Sequence, residues 1–183
     1  MTDPKAALRT EARARRANLA AAMPGFARAI AAFAHQLPLA PGTVVGGYHA
    51  LAGEADPSLL LAALAARGHA IAFPRVAAKD APLDFHRVPD GEGLRTGAYG
   101  IQEPAAHFPH AAPALLLVPL LAHDNRGHRL GYGGGFYDRT IASLQVPAIG
   151  IAFSGQEVVS LPVGPHDMAL CGILTEHGLK RFS

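Results

Sequence analysis

A run of glycines between two arginines is the segment of this sequence with the clearest chemistry. Residues 129–139 read RLGYGGGFYDR, so four of the five positions from Gly131 to Gly135 are glycine. Glycine loses more backbone freedom on folding than any other residue, so the run is costly to order. Glycines just before a helix let backbone N–H groups converge on an anion. The segment therefore predicts phosphate binding, with a flexible loop or a close crossing of chains as the alternatives.

Two standard nucleotide motifs do not explain the segment. A Walker loop requires Lys and then Ser or Thr after its last glycine, and here Phe136 and Tyr137 follow. A dinucleotide fingerprint counted from Gly131 requires glycine at the position that Phe136 occupies. The prediction of anion binding depends instead on backbone N–H groups, with Arg129 and Arg139 as additional positive charges.

The N-terminal region carries a second set of cations. Lys5, Arg9 and Arg13 are spaced four residues apart, so a helix would project them from one face. Like charges at this spacing cost about 0.2–0.5 kcal/mol per pair, and an anion held against the face would offset that cost. A solvated basic stripe is the alternative.

Four acids are candidates for substrate or metal contacts. Glu54 and Asp56 follow the first predicted strand, Asp138 ends the glycine segment, and Asp167 lies near the C-terminus. Two carboxylates beside a phosphate would suit Mg²⁺, which takes few protein ligands and keeps several waters. Alternatively, Asp138 pairs with Arg139 or caps the following helix, and Asp167 forms a turn.

Alternating helices and strands must position these side chains. Helix signals cover residues 4–21, 26–37, 58–68 and 136–144, and strand signals cover 43–48, 70–76, 83–88, 114–119, 147–153 and 171–176. Residues 89–113 read as a loop. This order predicts an α/β fold, a single three-layer domain over residues 1–183 with a largely parallel sheet flanked by helices. Ligands in such folds collect at the carboxyl ends of strands, here the loops after Tyr48, Val118 and Phe153.

Composition excludes several classes of protein. Half of the 183 residues are apolar and 16% are charged, as in a folded globule, and the net charge of +2 is small for a nucleic-acid-binding protein. No apolar run approaches the ~18 residues of a membrane span, and the first residues lack the apolar centre of a signal peptide. The only cysteine, Cys171, is predicted to be buried, and no Cys/His cluster has zinc spacing. We expect a cytoplasmic monomer without nucleic-acid or membrane partners.

The segment VPLLAHDNRGHRLGYGGGFYDR (118–139) resembles the signature of the 5-formyltetrahydrofolate cyclo-ligase family, also called methenyltetrahydrofolate synthetases. KAALR (5–9) is similar to the family's nucleotide motif, and GEAD (53–56) to its folate-side acidic loop. Further similar segments follow in order: FPR (73–75), GIQEP (100–104), IGIAFSGQ (149–156) and LPVGPHD (161–167). The chain departs from the family at Ala114, where an acid is usual, and at His123 and Phe136, where an aromatic residue and a tyrosine are usual.

The resemblance implies ATP-dependent cyclisation of 5-formyltetrahydrofolate to 5,10-methenyltetrahydrofolate, with ATP as co-substrate and Mg²⁺ as cofactor. The implied catalytic residues are Arg129, Gly133 and Gly134. The implied ATP contacts are Lys5, Arg9, Arg129, Leu130, Gly131, Tyr132, Gly133, Gly134, Gly135, Phe136 and Tyr137, the last of which alternatively fills the core. The implied folate contacts are Arg9, His49, Glu54, Tyr132, Gly133, Gly134, Gly135 and Phe136. The implied metal ligands are Asp138 and Asp167.

Two other classes of function remain open at this point. A non-catalytic protein that sequesters 5-formyltetrahydrofolate would keep Glu54 but would have no need for the cations and glycines. A sugar-phosphate isomerase or an acyl-transferring enzyme of similar architecture would use a catalytic acid or base unconnected with a nucleotide. Fold alone does not separate these classes.

Overall fold

A seven-stranded sheet organises the protein, whose computed structural model describes residues 5–97 and 100–182. The helices are α1 (Ala6–Ala22), α2 (Phe26–Ala31), α3 (Ser58–Ala66) and α4 (Phe136–Leu144), with 3₁₀ turns at Ala34–Gln36 and Ser154–Gln156. The strands are β1 (Val44–Gly46), β2 (Ala70–Arg75), β3 (Asp84–His86), β4 (Arg95–Thr96), β5 (Gln102–Glu103), β6 (Leu115–Pro119), β7 (Ala122–His123), β8 (Arg129–Leu130), β9 (Ala148–Ile151), β10 (Gly172–Thr175) and β11 (Gly178–Arg181).

The strand order places a crevice between β1 and β6. The sheet runs β11-β10-β9-β6-β1-β2-β3, and its five inner strands are parallel. From β1 the chain moves outward to β2 and then returns to β6 on the other side of β1. Ligands of doubly wound folds bind at such a reversal, at the carboxyl ends of the strands. The short pairs β4–β5 and β7–β8 lie outside the main sheet.

Helices cover both faces of the sheet. Along β6, Leu115 and Leu117 pack in one core cluster with Ile30 of α2, on the face that α3 also covers. Leu116 packs in a second cluster with Ile141 of α4, on the opposite face. Successive side chains of a strand alternate between faces, and a strand buried on both faces is apolar throughout. The predicted α/β architecture of a largely parallel sheet between helices is confirmed.

Two predictions, the length of the second helix and the burial of Cys171, are wrong. The helix predicted over 26–37 ends at Ala31, because the N–H of Phe33 bonds back three residues to the carbonyl of Ile30 and tightens the chain into a 3₁₀ turn. Cys171 was predicted to be buried in an apolar strand, but it is exposed and precedes β10, which begins at Gly172.

Sequence patterns missed five strands in regions predicted as loop or tail, among them β7 and β8, which lie before and within the glycine-rich stretch 129–135. Residues 89–113 contain β4 and β5, and residues 171–176 are not the last strand, because β11 pairs with β10 in antiparallel orientation. Gly178 supplies the positive φ of 110° at this turn. The helix start predicted at Pro4 lies outside the described residues. Within residues 5–97 and 100–182, every helix is too short or too polar to cross a membrane.

Candidate active site

A cleft of about 550 Å³ opens at the carboxyl ends of β1, β2 and β6. It brings together the start of α1, the acidic loop 51–56, the glycine segment 131–135 and Asp167. Among the candidates named from the sequence, Asp56, Leu130 and Arg139 do not line it, and Asp56 instead accepts the N–H of Ser58 at the start of α3. The candidates that do line it are Lys5, Arg9, Arg13, His49, Glu54, Arg129, Gly131, Tyr132, Gly133, Gly134, Gly135, Phe136, Tyr137, Asp138 and Asp167. The predicted meeting of the loops after β1 and β6 therefore occurs at one edge of the sheet.

Leu130 supports the cleft from behind. Its side chain is 2% exposed and packs with Ala12, Leu121 and Leu161. Its carbonyl accepts the N–H of Leu121 at 2.8 Å. The structure therefore does not bring the Leu130 side chain to the position of the ATP contact that the resemblance implies.

The glycines serve different purposes within their segment. Gly133 (φ 99°) and Gly135 (φ 65°) have left-handed conformations that disfavour other residues. A Cβ on Gly134 would lie 2.9 Å from the Phe136 ring. A Cβ on Gly131 would have no described protein atom within 4 Å. Packing and φ therefore explain glycine at three positions but not at Gly131, where the backbone faces open space.

Two ion pairs form what we call the basic end of the cleft. Lys5 Nζ lies 2.5 Å from Asp167 Oδ2, and Arg129 Nη2 lies 2.6 Å from Asp138 Oδ1. The partners are 162 residues apart in the first pair and 9 in the second. The cations predicted to hold phosphate and the acids predicted to hold metal are thus neighbours, and each cation is positioned by an acid.

Two further arginines hold the glycine segment by its carbonyl oxygens. Arg9 Nε donates to Gly131 O at 3.0 Å, and Arg139 Nη2 donates to Gly134 O at 2.7 Å. Arg139 thus stabilises the loop. Asp138 pairs with Arg129, so the alternative in which Asp138 pairs with Arg139 is wrong.

Among residues 5–97 and 100–182, each acid of the basic end uses only one of its two carboxylate oxygens in hydrogen bonds. Arg129 and a backbone N–H both bond to Oδ1 of Asp138, and Lys5 and a backbone N–H both bond to Oδ2 of Asp167. The described residues contain no group of three or more His, Cys, Asp or Glu suited to binding a metal. Two carboxylate oxygens are nevertheless enough for Mg²⁺ when phosphate and water complete its coordination.

Asp167 is held in its ionised form. Burial favours the neutral acid, but hydrogen bonds from the Gly164 N–H and from Lys5, together with the charges of Lys5 and Arg129, outweigh it and lower the pKa of Asp167. The carboxylate is therefore charged at neutral pH, as a cation ligand requires.

Glu54, Arg16 and Tyr132 form what we call the buried-acid end of the cleft. Oε1 of Glu54 accepts the Tyr132 hydroxyl and lies 3.5 Å from Arg16 Nη1, which also donates to that hydroxyl. Oε2 accepts the Leu51 N–H at 2.8 Å. The side chains of Arg16 and Glu54 are only 7% and 3% exposed. Glu54 is therefore already fully engaged by protein groups.

Sequence reasoning did not identify Arg16. Its signal was present, because Arg16 lies seven residues after Arg9 and three after Arg13, on the same helical face. The guanidinium carbons of Arg13 and Arg16 lie 5.6 and 5.5 Å from the centre of the Tyr132 ring. The basic face of α1 is therefore a wall of the cleft rather than a solvated stripe.

An apolar wall joins the two ends and was also missed. It consists of Pro74, Val76, Leu83 and Ile101, which come from separate loops and strands.

His49, predicted to contact folate, stacks on Phe73 with ring centres 4.4 Å apart, and burial lowers its pKa. Tyr137 both lines the cleft and packs against the core, and burial followed by the charge of Glu54 raises its pKa.

The chain was compared with known proteins. The model of the 5-formyltetrahydrofolate cyclo-ligase family matches residues 1–176. The 5-formyltetrahydrofolate cyclo-ligase of Haemophilus influenzae is 38% identical over 89 residues, which cover 44% of this chain and 47% of that protein. The Mycolicibacterium smegmatis protein of the same name is 32% identical over 145 residues, 73% of this chain and 74% of that protein. The Aquifex aeolicus 5,10-methenyltetrahydrofolate synthetase structure has a TM-score of 0.78 at 27% identity, covering 97% of this chain and 92% of that one.

Proposed function

Because the chain belongs to the 5-formyltetrahydrofolate cyclo-ligase family, we propose that its cleft cyclises 5-formyltetrahydrofolate to 5,10-methenyltetrahydrofolate while ATP is converted to ADP and phosphate. This is a ligase reaction of folate-dependent one-carbon metabolism. One observation carries the proposal: three cations and a glycine segment suited to ATP line the same cleft as the buried acid Glu54. ATP and folate would thus meet at the carboxyl ends of β1 and β6.

The chemistry explains why the protein needs both ends of the cleft. The formyl group on N5 is amide-like, so its oxygen leaves poorly. Transfer of the γ-phosphoryl group of ATP to that oxygen releases ADP and makes phosphate the leaving group. N10 then attacks the formyl carbon, the carbon–oxygen bond breaks as phosphate departs, and N10 loses its proton as the ring closes. Such a transfer depends mainly on positioning and on stabilisation of charge.

The basic end supplies positioning and charge. Lys5, Arg9 and Arg129 would bind the phosphates, and their contacts with Asp167, Gly131 and Asp138 hold them in place before ATP arrives. Backbone N–H groups of the segment 131–135 and the N-terminus of α4 would face the transferred phosphoryl group. The predicted catalytic roles of Arg129, Gly133 and Gly134 belong to this step.

Oδ2 of Asp138 and Oδ1 of Asp167, which accept no hydrogen bond from the described part of the chain, would suit a hydrated Mg²⁺ beside the phosphates. Bound there, the ion would neutralise part of the phosphate charge. Each carboxylate would have to share its charge between the ion and its own cation, since Arg129 and Lys5 remain bonded to the other oxygen. Mg²⁺ is thus proposed as a partner of ATP rather than as a permanently bound ion.

The buried-acid end would bind the pterin. The guanidine-like edge of a pterin presents two donors, which suit a carboxylate. Oε1 of Glu54 is occupied by Tyr132 and Arg16, so the pterin must share or displace the Tyr132 hydroxyl. Tyr132 is exposed and lies between the glycines Gly131 and Gly133, so its displacement does not disturb the core.

A single assay tests the proposed function. Protein, Mg²⁺, ATP and 5-formyltetrahydrofolate are mixed, and ADP and the ultraviolet absorbance of the methenyl product are followed, with each substrate omitted in turn as a control. We expect ADP and methenyl product in equal amounts, and only when both substrates are present. Folate binding without ADP release would indicate a sequestering protein. Absence of both would favour an isomerase or acyl-transferring enzyme.

We also propose that the protein is a cytoplasmic monomer that acts on small molecules without nucleic-acid or membrane partners. The small net charge of +2 supports the absence of nucleic acid. Light scattering coupled to gel filtration tests the monomer, for which a single species of 19.0 kDa is expected.

A further inference from the structure

One arginine beside the cleft bonds to two separate segments of its walls. Arg139 Nη2 donates to Gly134 O at 2.7 Å, and Arg139 Nε donates to Ala81 O at 3.1 Å. Gly134 belongs to the glycine segment, and Ala81 belongs to residues 76–83, which we call the β2–β3 loop. Ala81 lies 58 residues before Arg139 in the sequence, so the guanidinium joins segments that only the fold brings together. The reaction described above gives this connection no role.

The guanidinium of Arg139 fits closely among its neighbours. A Cβ on Gly135 would lie 2.7 Å from Arg139 Nη1, so the glycine leaves room for the group. The guanidinium carbon lies 5.2 Å from the centre of the Phe136 ring. Arginine carries its donors in a rigid plane, so two of its nitrogens can hold two carbonyl oxygens at once. Lysine carries all its donors on a single nitrogen and lacks this geometry.

The next residue of α4 makes a second connection to the β2–β3 loop. Thr140 Oγ1 accepts the Leu83 N–H at 2.8 Å and donates to Phe136 O at 2.7 Å. Thr140 is completely buried, so losing either partner would leave a polar group unsatisfied away from water. Two adjacent residues of α4 therefore hold the β2–β3 loop at Ala81 and at Leu83.

The two connected segments would serve different substrates, given the proposed function on which this inference rests. The glycine segment would face the phosphates of ATP. Val76 and Leu83, the first and last residues of the β2–β3 loop, belong to the apolar wall of the cleft. In the sheet, β1 lies between β6 and β2, so the loop that carries Glu54 comes between the glycine segment and this wall. A pterin bonded to Glu54 would therefore pack its rings towards the wall.

We propose that Arg139, supported by Thr140, is a positioning residue that couples the binding of ATP to the binding of folate. Arg139 does not line the cleft, so it acts on each substrate through the carbonyl that it holds. When ATP orders the glycine segment, Gly134 O fixes the guanidinium, and the guanidinium fixes Ala81 and the β2–β3 loop. Folate packed on that loop orders the glycine segment by the same route in reverse. One ordering step thus serves both ligands, and the coupling is reciprocal.

The test measures how far one ligand strengthens the binding of the other. Mg²⁺ and a non-hydrolysable ATP analogue are titrated into the protein by calorimetry, with and without saturating 5-formyltetrahydrofolate, and the two Kd values give a coupling ratio. We expect the parent to bind the analogue about tenfold more tightly when folate is present, equivalent to ~1.4 kcal/mol. Arg67→Gln, at an exposed arginine outside the cleft, is the control and should keep this ratio.

Three variants remove the connection in different ways. Arg139→Gln should lower the coupling ratio to about twofold or less. Arg139→Lys keeps the charge but loses the paired geometry, so it should behave like the glutamine variant. Thr140→Val keeps the shape of the side chain but removes the acceptor for the Leu83 N–H, so it should lower the ratio by a smaller factor.

The coupling ratio separates positioning from a merely structural role. A parental ratio in Arg139→Gln, even with a lower melting temperature, would overturn the proposal. A parental ratio in Arg139→Lys would assign the effect to charge and would overturn it too, and this variant carries the test if Arg139→Gln does not fold. A parent whose ratio is one overturns the coupling even if it cyclises folate. A parent that shows the coupling but releases no ADP contradicts only the proposed function.

Discussion

The two ends of the cleft hold their charges in different ways. At the basic end, the acids of the two ion pairs are partly open to water: Asp167 is 30% exposed and Asp138 is 26% exposed. Their cations are more buried, with Lys5 18% and Arg129 5% exposed, so it is the acid of each pair that solvent and a ligand can reach. On the proposed function, the acids of the basic end would exchange partners when ATP binds.

At the buried-acid end, Glu54 and Arg16 are almost completely removed from water. Breaking such a pair leaves an uncompensated buried charge, which costs far more than the loss of an exposed pair. The fold must therefore build this end before any ligand arrives. The contrast indicates that folding completes the buried-acid end of the cleft, whereas the basic end, on the proposed function, would be completed by ligand binding.

The largest expected effect follows from breaking the buried pair. Arg16→Met keeps much of the side-chain volume but leaves Glu54 without its cation, so we expect a loss of about 3–5 kcal/mol in the free energy of unfolding measured in urea. Arg15→Met is the control, because Arg15 pairs with Glu11 on the exposed face of α1 and should change stability by about 0.5 kcal/mol or less. Equal losses in the two variants would contradict the contrast between the two ends.

Removal of cations from the basic end should affect ATP more than folding. Lys5→Ala and Arg9→Ala each delete a charged hydrogen bond to phosphate worth about 1.5–3 kcal/mol, so each should raise the KM for ATP about tenfold or more. Steady-state kinetics at saturating folate measure this effect, with Arg15→Ala as the control from the exposed face. If these variants lose stability but keep the parent's KM for ATP, the start of α1 has a structural role and does not bind ATP.

The glycine segment permits a test that separates function from folding. Gly131→Ala adds a methyl group where the described protein leaves open space and where φ is not positive, so stability should stay the same or rise slightly. If ATP approaches this backbone, the KM for ATP should rise about fivefold, equivalent to ~1 kcal/mol.

Gly134→Val is the comparison variant for the glycine test. Its Cβ would press on the Phe136 ring, so both ATP use and thermal stability should fall. A Gly131→Ala variant with parental kinetics would show that ATP does not approach the segment at this point.

The metal assignment predicts a smaller effect at the same end. Asp138→Asn and Asp167→Asn should each raise the Mg²⁺ concentration for half-maximal ADP release about fourfold, because one ligand charge is lost while shape is kept. In the double variant, the free-energy change that corresponds to this Mg²⁺ concentration should be smaller than the sum of the two single changes, since both residues bind one ion. Asp90→Asn, in an exposed loop, is the control. If the Mg²⁺ dependence of both single variants matches that of the parent, neither residue binds the metal ion.

The smallest effect concerns a buried histidine outside both ends. His123 is buried, neither of its ring nitrogens has a hydrogen-bond partner among the described residues, and burial lowers its pKa. As pH falls from 7 to 6, the unfolded chain takes up a proton on this residue that the folded chain resists, so the parent should lose stability to this group, by at most about 0.7 kcal/mol.

His123→Phe, which restores an aromatic residue, should remove that loss. Urea unfolding at pH 7 and pH 6 measures the difference between variant and parent. Asp167, whose pKa is lowered from 3.8, titrates well below this window and should not contribute. Parallel pH dependence in parent and variant would assign the acid sensitivity to other groups.

The sequence alone determined the features that depend on neighbours along the chain. The residues 136–144 form the predicted helix, and the apolar run before Pro119 forms the predicted buried strand. Lys5 and Arg9 lie on one helical face because four residues complete about one turn. The glycine segment also indicated backbone exposed to a ligand. Periodicity, turn residues and motif spacing carry this information because each depends only on local geometry.

Only the tertiary structure decided which of these features meet. Arg16 reaches Glu54 across 38 residues of sequence, and Tyr132 reaches the same carboxylate across 78. Arg75 at the end of β2 and Arg95 at the start of β4 line one groove, although 20 residues separate them in the sequence. Local patterns are satisfied by many strand orders, and each order would bring different loops together. The order of this sheet depends on the packing of both its faces, and by placing β1 between β2 and β6 it assembles the cleft.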